Sequence, residues 1–365
     1  MTIRVHWFLP TQGDSRDIVS TGESAAPGDG WRAPTLDYLD VVARTAEVGG
    51  FESLLTPTGS WCDDAWVVSS FLAARTRRIR FLVAFRPGLV SPTAAAVQAA
   101  TFQRHSGGRL SVNIVTGGDA AEQRAYGDHL SAGERYGRTA EFLTAYRAAL
   151  DTLDGGPPVV LRGRHVHVEG ARLQLPTVPR PPVFVGGASD RAKQVAAEHA
   201  DVHLTWGEPP AAVAEHVARL TELADRAGRT VASGIRLHVI TRETASEAWT
   251  VAEHLRSRIP SRRIEETQRA LRLVESEGQR RMVALHDSGR IRELEVSPNL
   301  WTGFGLVRGG VGTALVGSHE QVADRIREYR GHGITHFVLS GQPHVEEALQ
   351  FAEGVLPRLQ HTCPA

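Results

Sequence analysis

The chain has 365 residues, 41% hydrophobic and 22% charged, with 41 Lys and Arg against 41 Asp and Glu. That composition excludes a disordered or collagen-like chain, and with a net charge of +0 no global field gathers nucleic acid or an anionic membrane. Its two cysteines, Cys62 and Cys363, exclude a disulfide scaffold or a Cys-rich zinc site.

The first strand-like run, Ile3–Leu9, begins without a basic segment ahead of an apolar one, and nowhere do about 18 apolar residues follow one another. A cytoplasmic protein, neither secreted nor membrane-inserted, is the expectation. Further apolar, β-branched runs follow at Phe51–Leu55, Ile79–Phe85, Leu110–Val115, Val183–Gly186, Ala200–Thr205, Gly234–Thr241 and His336–Ser340. Helical spacing fills Leu36–Val48, Asp64–Ala74, Thr93–His105, Glu134–Leu150, Arg191–His199, Ala211–Ala227 and Ser246–Ser257. This alternation predicts parallel βα units, and eight strands predict a closed (β/α)8 TIM barrel, one domain over residues 1–365.

Two segments break the rhythm. Residues 158–176 read as an inserted antiparallel hairpin around Arg162-Gly163-Arg164, and residues 259–317 join a charged helical stretch to a Gly-rich loop, read as a lid. No Gly-x-Gly-x-x-Gly follows the first strand, which disfavours a dinucleotide-binding sheet.

A barrel carries its active site at the carboxyl ends of its strands. There stand Gln12, Thr58 with Cys62, Arg86, Thr116, Ser189, Trp206 with Glu208, Arg236 with His238, and His344. The set is basic, hydroxylic and aromatic rather than acidic. Only Glu208 and Asp119 offer themselves as a carboxylate pair, against glycoside hydrolysis, and Lys193, the one lysine, falls on a helix, against a Schiff base. His165 and His167 share a strand face without a third ligand, so no metal is assigned.

Gly186-Gly187-Ala188-Ser189 joins a strand to a helix and suits either a phosphate cradle or a plain turn with Ser189 as N-cap. Arg236 and His238, two residues apart, share a strand face, where the cation favours a neutral imidazole. Arg308 leads Gly309-Gly310-Val311-Gly312-Thr313, backbone able to close an arginine over an anion or to serve as a flexible loop. Cys62 precedes a helix start near Asp64, a setting that can lower a thiol pKa.

Taken in order, a longer series of segments carries more than any of them alone. It runs Trp7-Phe8-Leu9-Pro10-Thr11, Pro57-Thr58-Gly59, Cys62-Asp63-Asp64-Ala65-Trp66, Arg86-Pro87, Ser91-Pro92-Thr93 and Asn113-Ile114-Val115-Thr116-Gly117. It continues through Glu134-Arg135-Tyr136, Gly186-Gly187-Ala188-Ser189, Thr205-Trp206-Gly207-Glu208-Pro209, Gly234-Ile235-Arg236-Leu237-His238, Asn299-Leu300-Trp301, Arg308-Gly309-Gly310 and Gly312-Thr313-Ala314-Leu315. From Val5 to beyond His344 the chain resembles the flavin-dependent alkanesulfonate monooxygenases of the bacterial luciferase-like superfamily.

The resemblance implies a barrel that receives reduced FMN from a separate NAD(P)H-dependent FMN reductase and, with O2, oxygenates the carbon bearing a sulfonate, releasing sulfite and an aldehyde. It implies Tyr136 and Ser189, with Gly187 and Ala188, at the flavin phosphate, and Asn113, Thr116, Thr58 and Cys62 near the ring. Trp206, Arg236, His238, Arg308 and His344 would line the substrate pocket, with the arginines on the sulfonate and His238 trading a proton. A homodimer or homotetramer is implied as well.

Two positions depart from the family pattern, Gln12 for a histidine and Gln342 for a tyrosine, each a neutral amide in place of a titratable group. The resemblance also implies that an enlarged loop, Ser20–Pro34 with Trp31, would lie beside the expected pocket. The expectation is the same chemistry on a sulfonate-like anion. Alternatives are a different substrate (a sulfone, an amine or a heterocycle) or a flavin-binding protein without turnover.

Overall fold

The computed structural model describes residues 2–18, 30–286 and 294–360. Its strands are β1 (Arg4–Phe8), β2 (Ser53–Thr56), β3 (Arg80–Phe85), β4 (Leu110–Ile114), β5 (Val159–Arg162), β6 (His167–Ala171), β7 (Val183–Gly186) and β8 (Val202–Trp206). They continue with β9 (Ala232–Arg242), β10 (Glu295–Ser297), β11 (Leu300–Trp301), β12 (Ala314–Ser318) and β13 (Ile334–Ser340).

Parallel pairing runs β1-β2-β3-β4-β7-β8-β9-β13 and returns to β1, so the eight expected strands close a barrel. Helices follow these strands with local start signals. Asp64, Ser91 and Ser189 accept from the backbone N–H three residues on, and Ser131 forms a capping box with Glu134. Because both faces of a parallel barrel are covered, its strands read as nearly unbroken apolar runs. One set of side chains packs outward against the helices, and Phe8, Leu55, Leu82, Phe184, Val202, Leu204 and Val338 form a cluster of their own.

Near the amino ends of the strands lies a polar layer. His6 Nε2 is 3.0 Å from His336 Nδ1, His6 Nδ1 is 2.7 Å from Ser53 Oγ, and Phe184 meets both rings edge-on.

The hairpin appears as expected, β5 pairing antiparallel with β6. The second insertion holds helices Ser261–Leu271 and Glu277–Ala284, but its last residues are not lid. Ala314–Ser318 is strand β12, parallel to β9 over His238–Arg242. His238 pairs with Ser340 of β13 and Ala314 of β12 on opposite edges, so β12 succeeds β8 along β9, an eleven-residue strand reaching above the barrel. Of the loop Ser20–Pro34, residues 20–29 lie outside the described residues; Trp31 packs on Gly13, whose missing side chain leaves the room.

Candidate functional site

Arg236 and His238 do share one face of β9, and Ser340 joins them. Its hydroxyl is 3.4 Å from Arg236 Nη1 and 2.8 Å from His238 Nδ1. The guanidinium also lies 4.3 Å above the Phe8 ring. Among the described residues no carboxylate pairs with Arg236, and burial pushes its pKa down to about 9, leaving it charged at neutral pH.

His238 is held on every side. Nε2 is 3.2 Å from the Val311 carbonyl, Nδ1 is on Ser340, and Phe304 stacks on the ring at 3.9 Å. Burial first, then Arg236, Arg308 and His344, holds its pKa well below the ordinary histidine value. The neighbouring arginine does disfavour the protonated imidazole, with desolvation as the larger cause.

Arg308 donates from Nε to the Ile18 carbonyl at 3.0 Å and stands over Phe304. Burial pushes it down to about 10, against the opposing charges of Asp14 and Asp17. Its Gly-rich stretch is tied down rather than loose. Gly310 N–H donates to Gln279 Oε1 (2.9 Å), Thr313 Oγ1 to the Gly207 carbonyl (2.7 Å), and Gly312 comes so near Gly305 that a Cβ would sit 2.6 Å from its Cα.

His344 opens the helix His344–Gly354, its N–H donating to Asp14 Oδ2 at 2.7 Å. The ring packs against Trp7 and Phe8, and among the described residues its buried Nδ1 has no hydrogen-bond partner. Burial pushes its pKa down to about 4; Asp14 opposes, while Arg308 and Arg236 reinforce.

Asp14 and Asp17, both buried, add to Glu208 as acids at this end of the barrel. Asp14 also accepts from the Tyr38 hydroxyl and the Ser15 N–H, a scaffolding use. Gln342 faces this segment, donating to Ser15 Oγ at 3.0 Å and to the Asp17 carbonyl, so it braces a loop. Gln12 Oε1 is buried and unpartnered among the described residues.

Across the mouth, the turn after β7 lies against Tyr136 and Ala192. Gly187 has φ +143°, and a Cβ there would lie 2.6 Å from Ala192 Cβ and 3.2 Å from the Tyr136 hydroxyl. Ala188 continues the turn, and Ser189 caps the helix Asp190–His199 by accepting from Ala192 N–H at 3.2 Å. A hydroxyl, a tight glycine turn and a capped helix N-terminus converge here, groups that could together hold an anion.

Toward the barrel axis, Asn113 Oδ1, Thr116 Oγ1, Thr205 Oγ1 and Arg86 Nε and Nη1 are buried without partners among the described residues. Such orphaned groups are costly unless a ligand answers them, and the edge of a planar polar ring can do so. Arg86 Nη2 donates to Glu122 at 2.7 Å, and Glu122 accepts the Ser60 N–H at 2.9 Å, tying together the loops after β2, β3 and β4. Neither Glu122 nor Asp14 was legible as a site residue, since each acts through partners far away in sequence.

Cys62 and Thr58 are partly buried in the loop after β2. Burial pushes the thiol up to about 11 and outweighs the Thr11 hydrogen bond that lowers it. Trp206 ends β8, and Gly278 of the insertion packs on its ring. Beside it, buried Glu208 accepts Arg281 through Nε (2.9 Å) and Nη2 (2.6 Å) and lies 3.2 Å from His216 Nε2. Burial would raise this carboxyl, but those bonds outweigh it and hold it below the usual range. Glu208 therefore latches the insertion to the barrel.

Among the described residues no helix is long and apolar enough to cross a membrane, and no group of three or more His, Cys, Asp or Glu could hold a metal. The fold is similar to that of a riboflavin lyase solved with modified FMN and riboflavin (TM-score 0.76, 20% identity, covering 99% of this chain and 92% of that one). It is similar also to an EDTA monooxygenase from Chelativorans sp. BNC1 (0.74, 19%, 99% and 94%) and to a long-chain alkane monooxygenase (0.77, 17%, 99% and 91%). The family model for luciferase-like monooxygenases matches residues 3–336, and the chain belongs to that family.

Proposed function

We propose that this protein is the oxygenase of a two-component system, taking reduced FMN from a separate NAD(P)H-dependent FMN reductase and using O2 to convert an organosulfonate into an aldehyde and sulfite. The observation that carries the reading is Arg236, a half-buried guanidinium that no carboxylate pairs with among the described residues. A desolvated cation without a counter-ion is a site built for an anionic ligand, and a guanidinium matches sulfonate oxygens as it matches phosphate.

Tyr136, Gly187, Ala188 and Ser189 would hold the FMN phosphate, while Asn113, Thr116 and Arg86 would answer the ring edge and Cys62 and Thr58 would lie alongside. Bound in reduced form, FMN supplies the electrons that activate O2. Arg236 would fix the sulfonate, Arg308 would add a second donor at the rim, and Trp206 and Phe304 would keep water out. The small anionic substrate would enter a cytoplasmic homodimer or homotetramer.

Gln12 supports a second reading. Its orphaned Oε1 is an acceptor, and a sulfonate carries no donor to meet it. A substrate with an N–H or O–H, such as an amine or a heterocycle, would satisfy it through the same flavin chemistry. Anaerobic titration with reduced FMN, followed by mixing with O2 and octanesulfonate, separates the two. Sulfite formed in step with flavin oxidation is the expected result; tight flavin binding with no sulfite from any sulfonate overturns the substrate assignment.

A further inference from the structure

The mouth of the barrel holds two neutral histidines in opposite hydrogen-bonding states. His238 has both ring nitrogens engaged, one at the Ser340 hydroxyl and one at the Val311 carbonyl, and Phe304 covers its face. With Nε2 against the carbonyl and Nδ1 against the hydroxyl, neither nitrogen is open to a substrate, and a proton could reach Nδ1 only by turning the Ser340 hydroxyl from donor to acceptor. His344 is as deeply buried, yet its Nδ1 has no partner among the described residues. An imidazole nitrogen left open in a closed site is a cost to the fold that a substrate contact can relieve. The groups facing His344 are the Phe8 backbone, which hydrogen-bonds the ring, Asp14 from the loop after β1, Arg236 and His238 from β9, and Arg308 from the insertion.

We infer that His344, not His238, is the proton acceptor of carbon–sulfur cleavage. The inference rests on the organosulfonate reading. Once the carbon bearing the sulfonate carries a hydroxyl, His344 Nδ1 takes the hydroxyl proton and the O–H electron pair becomes the second bond of the aldehyde C=O. The carbon–sulfur bond breaks, and its electron pair leaves on sulfur as sulfite. R–CH(OH)–SO3⁻ and neutral His344 become R–CHO, SO3²⁻ and imidazolium. Arg236 accompanies the growing charge on the departing sulfite, and Asp14 faces the new imidazolium. His238 is a positioning residue, linking Arg236 through Ser340 to the backbone of the Arg308 loop.

The step can be read apart from the oxidative half. Under argon, wild-type protein loaded with reduced FMN is given hydroxymethanesulfonate, and sulfite release is followed from pH 5.5 to 9. Acceleration over buffer is expected, falling by roughly 10²–10⁴-fold in His344→Gln, the range of a removed general base. His344→Ala is expected to regain rate with added imidazole, whereas His238→Gln keeps the pH profile and changes mainly KM. Equal release by wild type and His344→Gln, or imidazole rescue of His238→Ala in place of His344→Ala, overturns the inference. Absence of sulfite from alkanesulfonates under O2, with hydroxymethanesulfonate still cleaved through His344, overturns the substrate assignment and leaves the base assignment standing.

Discussion

The same strands carry two buried polar layers built on opposite terms. Near the amino ends, His6, Ser53 and His336 satisfy one another, and Phe184 seals them. Near the carboxyl ends, Arg236 lacks a carboxylate, and His344 Nδ1, Gln12 Oε1, Asn113 Oδ1 and Thr116 Oγ1 lack partners among the described residues. His336 and Ser340 lie four residues apart on β13, about 13 Å at the usual rise per residue. Burial alone therefore does not mark the site. What separates the two layers is whether the buried polar groups answer one another or wait for a ligand.

Removing Arg236 tests this contrast most severely. Arg236→Ala is expected to cost about 3 kcal/mol of sulfonate recognition, roughly a hundredfold in kcat/KM. The fold itself should be unharmed or gain stability, because a partly desolvated charge without a counter-ion is gone. Sulfite kinetics and urea unfolding of the same variant read both halves. A large loss of stability would place Arg236 with the self-satisfied layer below and break the comparison.

His336→Ala is the mirror case. It strands His6 Nε2 and opens a cavity beside Phe184, an expected loss of about 2–4 kcal/mol in urea unfolding. KM for the sulfonate and for reduced FMN should stay within about twofold if the two layers are independent.

The lower layer also sets an acid limit. His6 is held well below the ordinary histidine value by burial first and then by His336, Arg4 and Arg80, and burial pushes His336 down to about 4. Since the unfolded chain takes up these protons first, stability is complete above about pH 6.5 and falls as pH drops toward 4. His336 alone accounts for about 3 kcal/mol of that fall. A flat unfolding midpoint between pH 7 and 4.5 would show that the pair is protonated in the fold.

Where the information was local, the sequence could be read closely. All eight barrel strands stand out because buried parallel strands are apolar runs between turn signals, and the two-residue period rightly puts Arg236 beside His238. Strand β12 was lost in the insertion because Ala314–Ser318 is short and opens after a Gly-rich stretch, with no period of its own. The Cys62 thiol stays open in the sequence because a helix start is visible there and desolvation is not. The braces Asp14, Gln342 and Glu122 were illegible for a plainer reason. Each acts through a partner the fold alone supplies, and Asp14 reaches His344 across 330 positions.

Gln342 gives the finest test, because it touches the upper layer only at second hand. Its amide holds Ser15 and the Asp17 carbonyl, and one residue on, the Ile18 carbonyl receives Arg308 Nε. Gln342→Ala frees that segment while leaving Arg236, Arg308 and His344 in place. KM for the sulfonate should rise about three- to tenfold, near the 1 kcal/mol of an ordinary hydrogen bond, with kcat changed less. Gln342→Glu keeps the reach but loses the donor, and should behave like the alanine variant. If instead kcat collapses while KM holds, Gln342 meets the reacting atoms directly, and the upper layer extends one residue further than its hydrogen bonds indicate.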